Sequence, residues 1–149
     1  LLLQRSQTDI SKWYYNKSFN DVNFRDDLKN ILSKEYPASK QRLLEFAALW
    51  SEEEKAKLSE IFIRVERLFN TYQNEIISQL NTIEAYNDPT IYLMAKIPFE
   101  EAEGSIIDIY KKLFQTVVNG TSITHSGASC HRHFQYRFLL SVLPTMAIL

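Results

Sequence analysis

The chain has 149 residues, 45% of them hydrophobic and 13% aromatic, with 17 basic against 18 acidic side chains and only 3 Gly and 4 Pro. That length makes one domain, able to bury roughly 68 to 70% of its unfolded surface without a metal or disulfide staple. Scarce turn residues argue against a β-sandwich or a wound α/β fold, the lack of any Gly before Gly104 argues against a phosphate-cradling loop, and a net charge of -1 supplies no overall field for nucleic acid or an anionic membrane.

Residues 1–23 form an aromatic-rich segment in which Trp13, Tyr14, Tyr15 and Phe19 are expected to fold over a helical core. From Phe24 to Tyr36, the apolar positions Phe24, Leu28, Ile31, Leu32 and Tyr36 recur at three and four residues, one face of a helix. Asp21 or Asn23 is placed to cap it, and Pro37 should stop it. A second run starts at Ser39 and carries Leu43, Leu44, Phe46, Ala47 and Trp50. Ser51-Glu52-Glu53-Glu54 then reads as a capping box and marks a new helix start or a kink.

The longest pattern follows. No Gly or Pro interrupts residues 52–86, and Leu58, Phe62, Val65, Phe69, Tyr72 and Ile76 alternate steps of four and three. This is a heptad seam, continued by Leu80 and Ile83 after one four-residue stutter. It predicts a helix of about 35 residues, about 50 Å long at 1.5 Å per residue. Those six residues are the expected contact stripe, either within a bundle core or between two copies of the chain.

Asn87-Asp88-Pro89 ends that helix and starts another, since Asp88 can cap while Pro89 occupies the first helical position without losing a bond. Ile91, Tyr92, Met94 and Ala95 make a short apolar run before Pro98 interrupts. A helix over residues 99–118 follows, buried through Ile106, Ile107, Tyr110, Leu113, Phe114 and Val117, with a weak point at Gly104-Ser105. Asn119-Gly120 reads as a C-terminal stop. The expected fold is all-α, a bundle of four or five helices over residues 24–118. Residues 119–149 are expected to form an irregular or extended tail outside it. Its positions Phe134, Tyr136, Phe138, Leu140 and Val142 alternate with strand period, and no acidic residue follows Asp108.

That tail also holds the residues with metal chemistry. His125, Cys130, His131 and His133 fall within nine positions, and imidazole and thiolate are natural ligands for zinc or copper. Their spacing fits no standard zinc module. Cys130 beside His131 is the sole sequence-local pairing of a nucleophile with a base, and adjacent residues of an extended strand point to opposite faces. Arg132-His133-Phe134-Gln135-Tyr136-Arg137-Phe138 interleaves aromatic and basic residues but lacks the glycine-bearing pattern of an RNA-recognition strand. No catalytic residue and no cofactor is assigned, and no nucleic-acid partner.

These features point to a non-enzymatic helical scaffold or adaptor, working through a protein partner or a homodimer along the helix of residues 52–86. A dimeric membrane-associated bundle of BAR type has comparable architecture, but residues 52–86 carry four basic residues against seven glutamates, so charge does not support it. Two sequons, Asn16-Lys17-Ser18 and Asn119-Gly120-Thr121, would suit a secreted helical signalling bundle. Against that stand the single cysteine and an opening Leu1-Leu2-Leu3 too short for a signal core, which favour a cytoplasmic chain. A metal- or thiol-dependent enzyme using the Cys130 and histidine cluster is the remotest alternative.

Overall fold

The computed structural model describes residues 1–16 and 23–125, and among them the chain is helical with no strand. Helix α1 spans Leu2–Asn16, α2 Asn23–Asn30, α3 Tyr36–Phe46, α4 Glu52–Asn70, α5 Ile83–Asn87 and α6 Pro89–His125. Leu2–Asn16 of the aromatic N-terminal segment is therefore a helix in its own right, and Phe19 lies outside the described residues. Leu3, Ile10, Trp13 and Tyr14 of α1 lie in the same core cluster as Phe69, Tyr72 and Phe99, with Trp13 4% and Tyr14 2% exposed. The Asp21 cap position lies outside the described residues.

Pro37 does not stop the second helix. A π-helical turn, Ile31–Glu35, joins α2 directly to α3, and the Tyr36 N–H donates to the Ile31 carbonyl five residues back. In a regular helix the Pro37 ring would press on the carbonyl of Ser33; the widened turn shifts that carbonyl and lets the chain continue. The run ends instead in a 3-10 turn, Ala47–Leu49, after which Trp50 and Ser51 are extended. Ser51 is the cap expected of it, its hydroxyl accepting the Glu54 N–H at 3.2 Å.

The expected 35-residue helix is shorter than its pattern. Regular α4 passes into a π-helical stretch, Thr71–Ile77, and a turn follows before α5. The interruption lies in Ser78-Gln79-Leu80-Asn81-Thr82, whose short polar side chains compete with the helix for backbone partners. Ser78 Oγ bonds the Asn74 carbonyl, and Thr82 caps α5 by accepting the Ala85 N–H at 3.1 Å. Wide turns suit the stutter, because Tyr72, Ile76 and Leu80, spaced by four, are all fully buried. Ile83, the next seam position, is 53% exposed.

At Asp88 and Pro89 the reading holds: Asp88 Oδ1 accepts the N–H groups of Thr90 and Ile91 at 2.8 and 3.2 Å. Beyond that point α6 runs on through Pro98, Gly104 and Asn119-Gly120. Pro98 leaves the Met94 carbonyl without its helical donor, and Met94 is 58% exposed, so that carbonyl lies on the side where water can serve it. Ser105 bonds back to the Ala102 carbonyl instead of capping a new helix. Gly120 supplies clearance and not a turn, because a Cβ there would stand 2.3 Å from the Trp50 ring. Thr121 is 7% exposed, so the packed domain extends past the expected boundary at 119; residues 126–149 lie outside the described residues.

Neighbouring helices run antiparallel. Tyr36 meets Phe69 while Lys40 reaches Glu66 and the Phe62 ring; Arg64 pairs with Asp108 while Trp50 meets Gly120; Tyr14 meets Phe99 while Ser11 reaches Glu103. The main core lies among α1, α2, α4 and α6, and a smaller cluster of Ala47, Trp50, Leu58, Phe62 and Val117 closes one end.

Candidate functional site

The heptad stripe is committed to the chain's own interior. Leu58, Phe62, Val65, Phe69, Tyr72 and Ile76 are 1, 7, 3, 4, 0 and 0% exposed, packed against α1, α2, α3 and α6. A second chain could not use this seam without opening the core, which corrects the expectation of a dimer contact there. Of the metal candidates, His125 is the last residue of α6, while Cys130, His131 and His133 lie outside the described residues. The second sequon is helical. Asn119 Oδ1 accepts from Gln115 Nε2 at 2.8 Å, and the buried Thr121 hydroxyl is occupied by the Val117 and Val118 carbonyls, both at 2.9 Å. A glycan acceptor needs an accessible loop, so this site does not suit the secreted reading. Among the described residues no helix is long and apolar enough to cross a membrane.

Apolar side chains accumulate instead on the outward side of α6. Ala95, Phe99 and Ala102 face the core at 0, 1 and 4% exposure; opposite them Leu93 and Ile97 are 59 and 60% exposed, and Met94 on the flank is 58% exposed. Leu93 and Ile97 are four residues apart, one turn on the same side of the helix. Leu93 also joins Tyr86, Asn87, Pro89 and Tyr92 around a shallow cavity at the α5–α6 corner. Lys96 and Glu100, 3.5 Å apart, and the exposed Glu101 make a polar border. The sequence reading missed Leu93 and Ile97. The signal was there, since 91–95 is apolar on every side of the helix and a one-sided core contact needs only a stripe.

Across the molecule, a groove of about 710 Å³ separates the α2–α3 run from α4, floored by Leu28, Leu32, Phe69 and Ile77. Both flanking helices carry their π-helical turns beside it. On its rim the Tyr36 hydroxyl donates to Glu66 at 3.1 Å and Lys40 Nζ to the same oxygen at 2.6 Å. Lys40 foremost, then Tyr36, holds the Glu66 carboxyl below its ordinary range, so it stays ionised. Burial pushes the Tyr36 phenol up, so it stays a donor.

A third polar group lies where α1 meets α2. The Arg5 guanidinium grips both Asp27 oxygens at 2.8 and 2.9 Å and Glu35 Oε2 at 2.7 Å, while Asn30 Nδ2 donates to Glu35 Oε1 at 2.7 Å. Asp9, only 8% exposed, faces the same group. Burial, with Asp27 adding to it, raises the Asp9 carboxyl from its ordinary value to about 6. Arg5 draws the Asp27 carboxyl the other way. No protein-family model, curated protein or solved structure matches this chain.

Proposed function

We propose that the chain is a non-enzymatic helical scaffold, an up-and-down bundle acting through protein–protein contact, whose contact surface is the outward side of α6 and whose partner is a second copy of itself. The observation that carries this is the exposure of Leu93 and Ile97 on adjoining turns, opposite a face that is already buried, with exposed Met94 on their flank. The patch is self-complementary. About a two-fold axis crossing α6 near Ala95, Leu93 of each copy lies opposite Ile97 of the other, the isologous geometry of most homodimers. A net charge of -1 leaves little repulsion between copies. Three half-exposed side chains and a shallow cavity offer a few hundred Å², below the roughly 1,000 Å² of a stable interface, so the dimer is weak. A cytoplasmic location belongs to the same reading, since Cys130 is the single cysteine.

Light scattering on chromatographed protein over a wide concentration range tests the proposal. Apparent mass should climb toward the dimer with concentration, and Ile97→Glu should hold the protein monomeric with its melting midpoint unchanged. A wild-type chain monomeric throughout refutes self-association, and a dimer indifferent to Ile97→Glu refutes this surface.

A further inference from the structure

The group between α1 and α2 has one feature that ordinary ion pairing does not satisfy. Asp9 Oδ2 is buried and meets no hydrogen-bond donor. The neighbour within bonding reach is the Asp27 carboxyl, another acceptor when ionised. Two carboxylates in contact repel unless one carries a proton, which turns the contact into an O–H···O bond. The surrounding charges leave room for it. Arg5 and Lys12 on α1 face Asp9, Asp27 of α2 and Glu35 of the π-helical turn, and Glu103 on α6 is turned toward Ser11.

We propose that one proton shared between Asp9 and Asp27 fastens α1 to α2, making α1 a strap that tightens in acid and loosens as the pH rises toward neutrality. The strap covers an aromatic face of α6: Tyr14 stacks on Phe99 at 4.2 Å and on Tyr92 at 4.8 Å between ring centroids, and Phe99 is 1% exposed beneath it. Loosening α1 uncovers that face. The direction follows from the two carboxyls. Asp9 binds its proton more tightly folded than unfolded, so its contribution is complete below the ordinary carboxylate range and is lost as the pH climbs from there through about 6. Asp27, held down by Arg5, contributes in the opposite sense, and that contribution is lost only as the pH falls into the ordinary carboxylate range. The two act as a titrating pair, with the strap tightest between those limits.

The test compares the full chain with Asp9→Asn, whose amide donates to Asp27 at any pH. Between pH 5 and pH 7.5 the wild-type melting midpoint should fall by about 5 °C more than that of the variant, a shift of the size that one strongly displaced carboxyl gives in a domain this long. Hydrogen exchange should show residues 2–16 losing protection at pH 7.5 relative to residues 52–70. Equal pH dependence in both proteins, or equal loss of protection in both segments, overturns the strap. Should Asp9→Asn fail to fold, carboxyl-carbon titration of wild-type Asp9 decides: a midpoint near 6 sustains the proposal and one near 4 refutes it.

Discussion

Two helical glycines should respond to the same substitution with opposite signs. Alanine is favoured over glycine by about 1 kcal/mol in a helix interior, through backbone entropy alone. At Gly104 nothing lies within 4 Å of an added Cβ, so Gly104→Ala should realise most of that gain, roughly 0.5 to 1 kcal/mol. At Gly120 the same Cβ would stand 2.3, 2.5 and 2.6 Å from Trp50 Cδ2, Cε2 and Cε3. Ordinary contact begins near 3.4 Å, so the indole or the end of α6 must retreat by about 1 Å. The ring cannot yield freely, being 3% exposed, edge-on to Phe46 and in one cluster with Leu58, Phe62 and Val117. Overpacking of this kind costs about 1 to 3 kcal/mol, which offsets or outweighs the propensity gain and leaves Gly120→Ala less stable by up to about 2 kcal/mol. Urea denaturation followed by tryptophan fluorescence measures both variants against wild type. Equal stabilisation by the two alanines would refute the reasoning and show that α6 does not dock on Trp50.

Other outcomes follow from the same coordinates. A chain ending at residue 118 should melt well below one ending at residue 125, because it loses the Gly120 backbone that covers Trp50 and the buried Thr121; coincident melts would restore the boundary that Asn119-Gly120 suggests. Ser51→Ala should cost about 1 kcal/mol in chemical denaturation by removing the acceptor for the Glu54 N–H. Tyr86→Phe should cost about 1 to 2 kcal/mol by leaving the Trp13 carbonyl without its buried donor, now 2.5 Å away. Leu93→Gln should leave stability within about 0.5 kcal/mol of wild type, as expected at an exposed helical position.

What could be read in advance depended on whether a local preference had a tertiary competitor. Ser51 and the Asp88-Pro89 pair act through neighbouring backbone groups, and their caps form as spacing predicts. Pro37 and Gly120 are equally clear local signals, yet both sit inside helices. A widened turn absorbs the first, and an indole occupies the space left by the second. The indole is remote in sequence, and the widened turn, though adjacent to Pro37, has no residue signature of its own, so neither outcome was legible. The heptad stripe did identify the core, but periodicity cannot say whether its complement is another segment of the chain or another chain. The Asp9–Asp27 contact was equally hidden, because it joins separate helices through residues that each look like ordinary solvated acids. The outward face of α6 shows in the sequence only as apolarity on every side of residues 91–95.

The paired π-helical turns also bear on how this chain tolerates changes in its length. Such a turn holds one residue more than the regular helix it interrupts. Removing a residue from an ordinary stretch of α4 would rotate everything beyond it by about 100° and carry the buried stripe to the surface. Within Thr71–Ile77 the same deletion would convert the wide turn to a regular one and leave both flanks in register. Within Ile31–Glu35 it would bring the Ser33 carbonyl and the Pro37 ring back into conflict, so that slack is already spoken for. The two turns face one groove, but only the second leaves the helix a spare residue to lose.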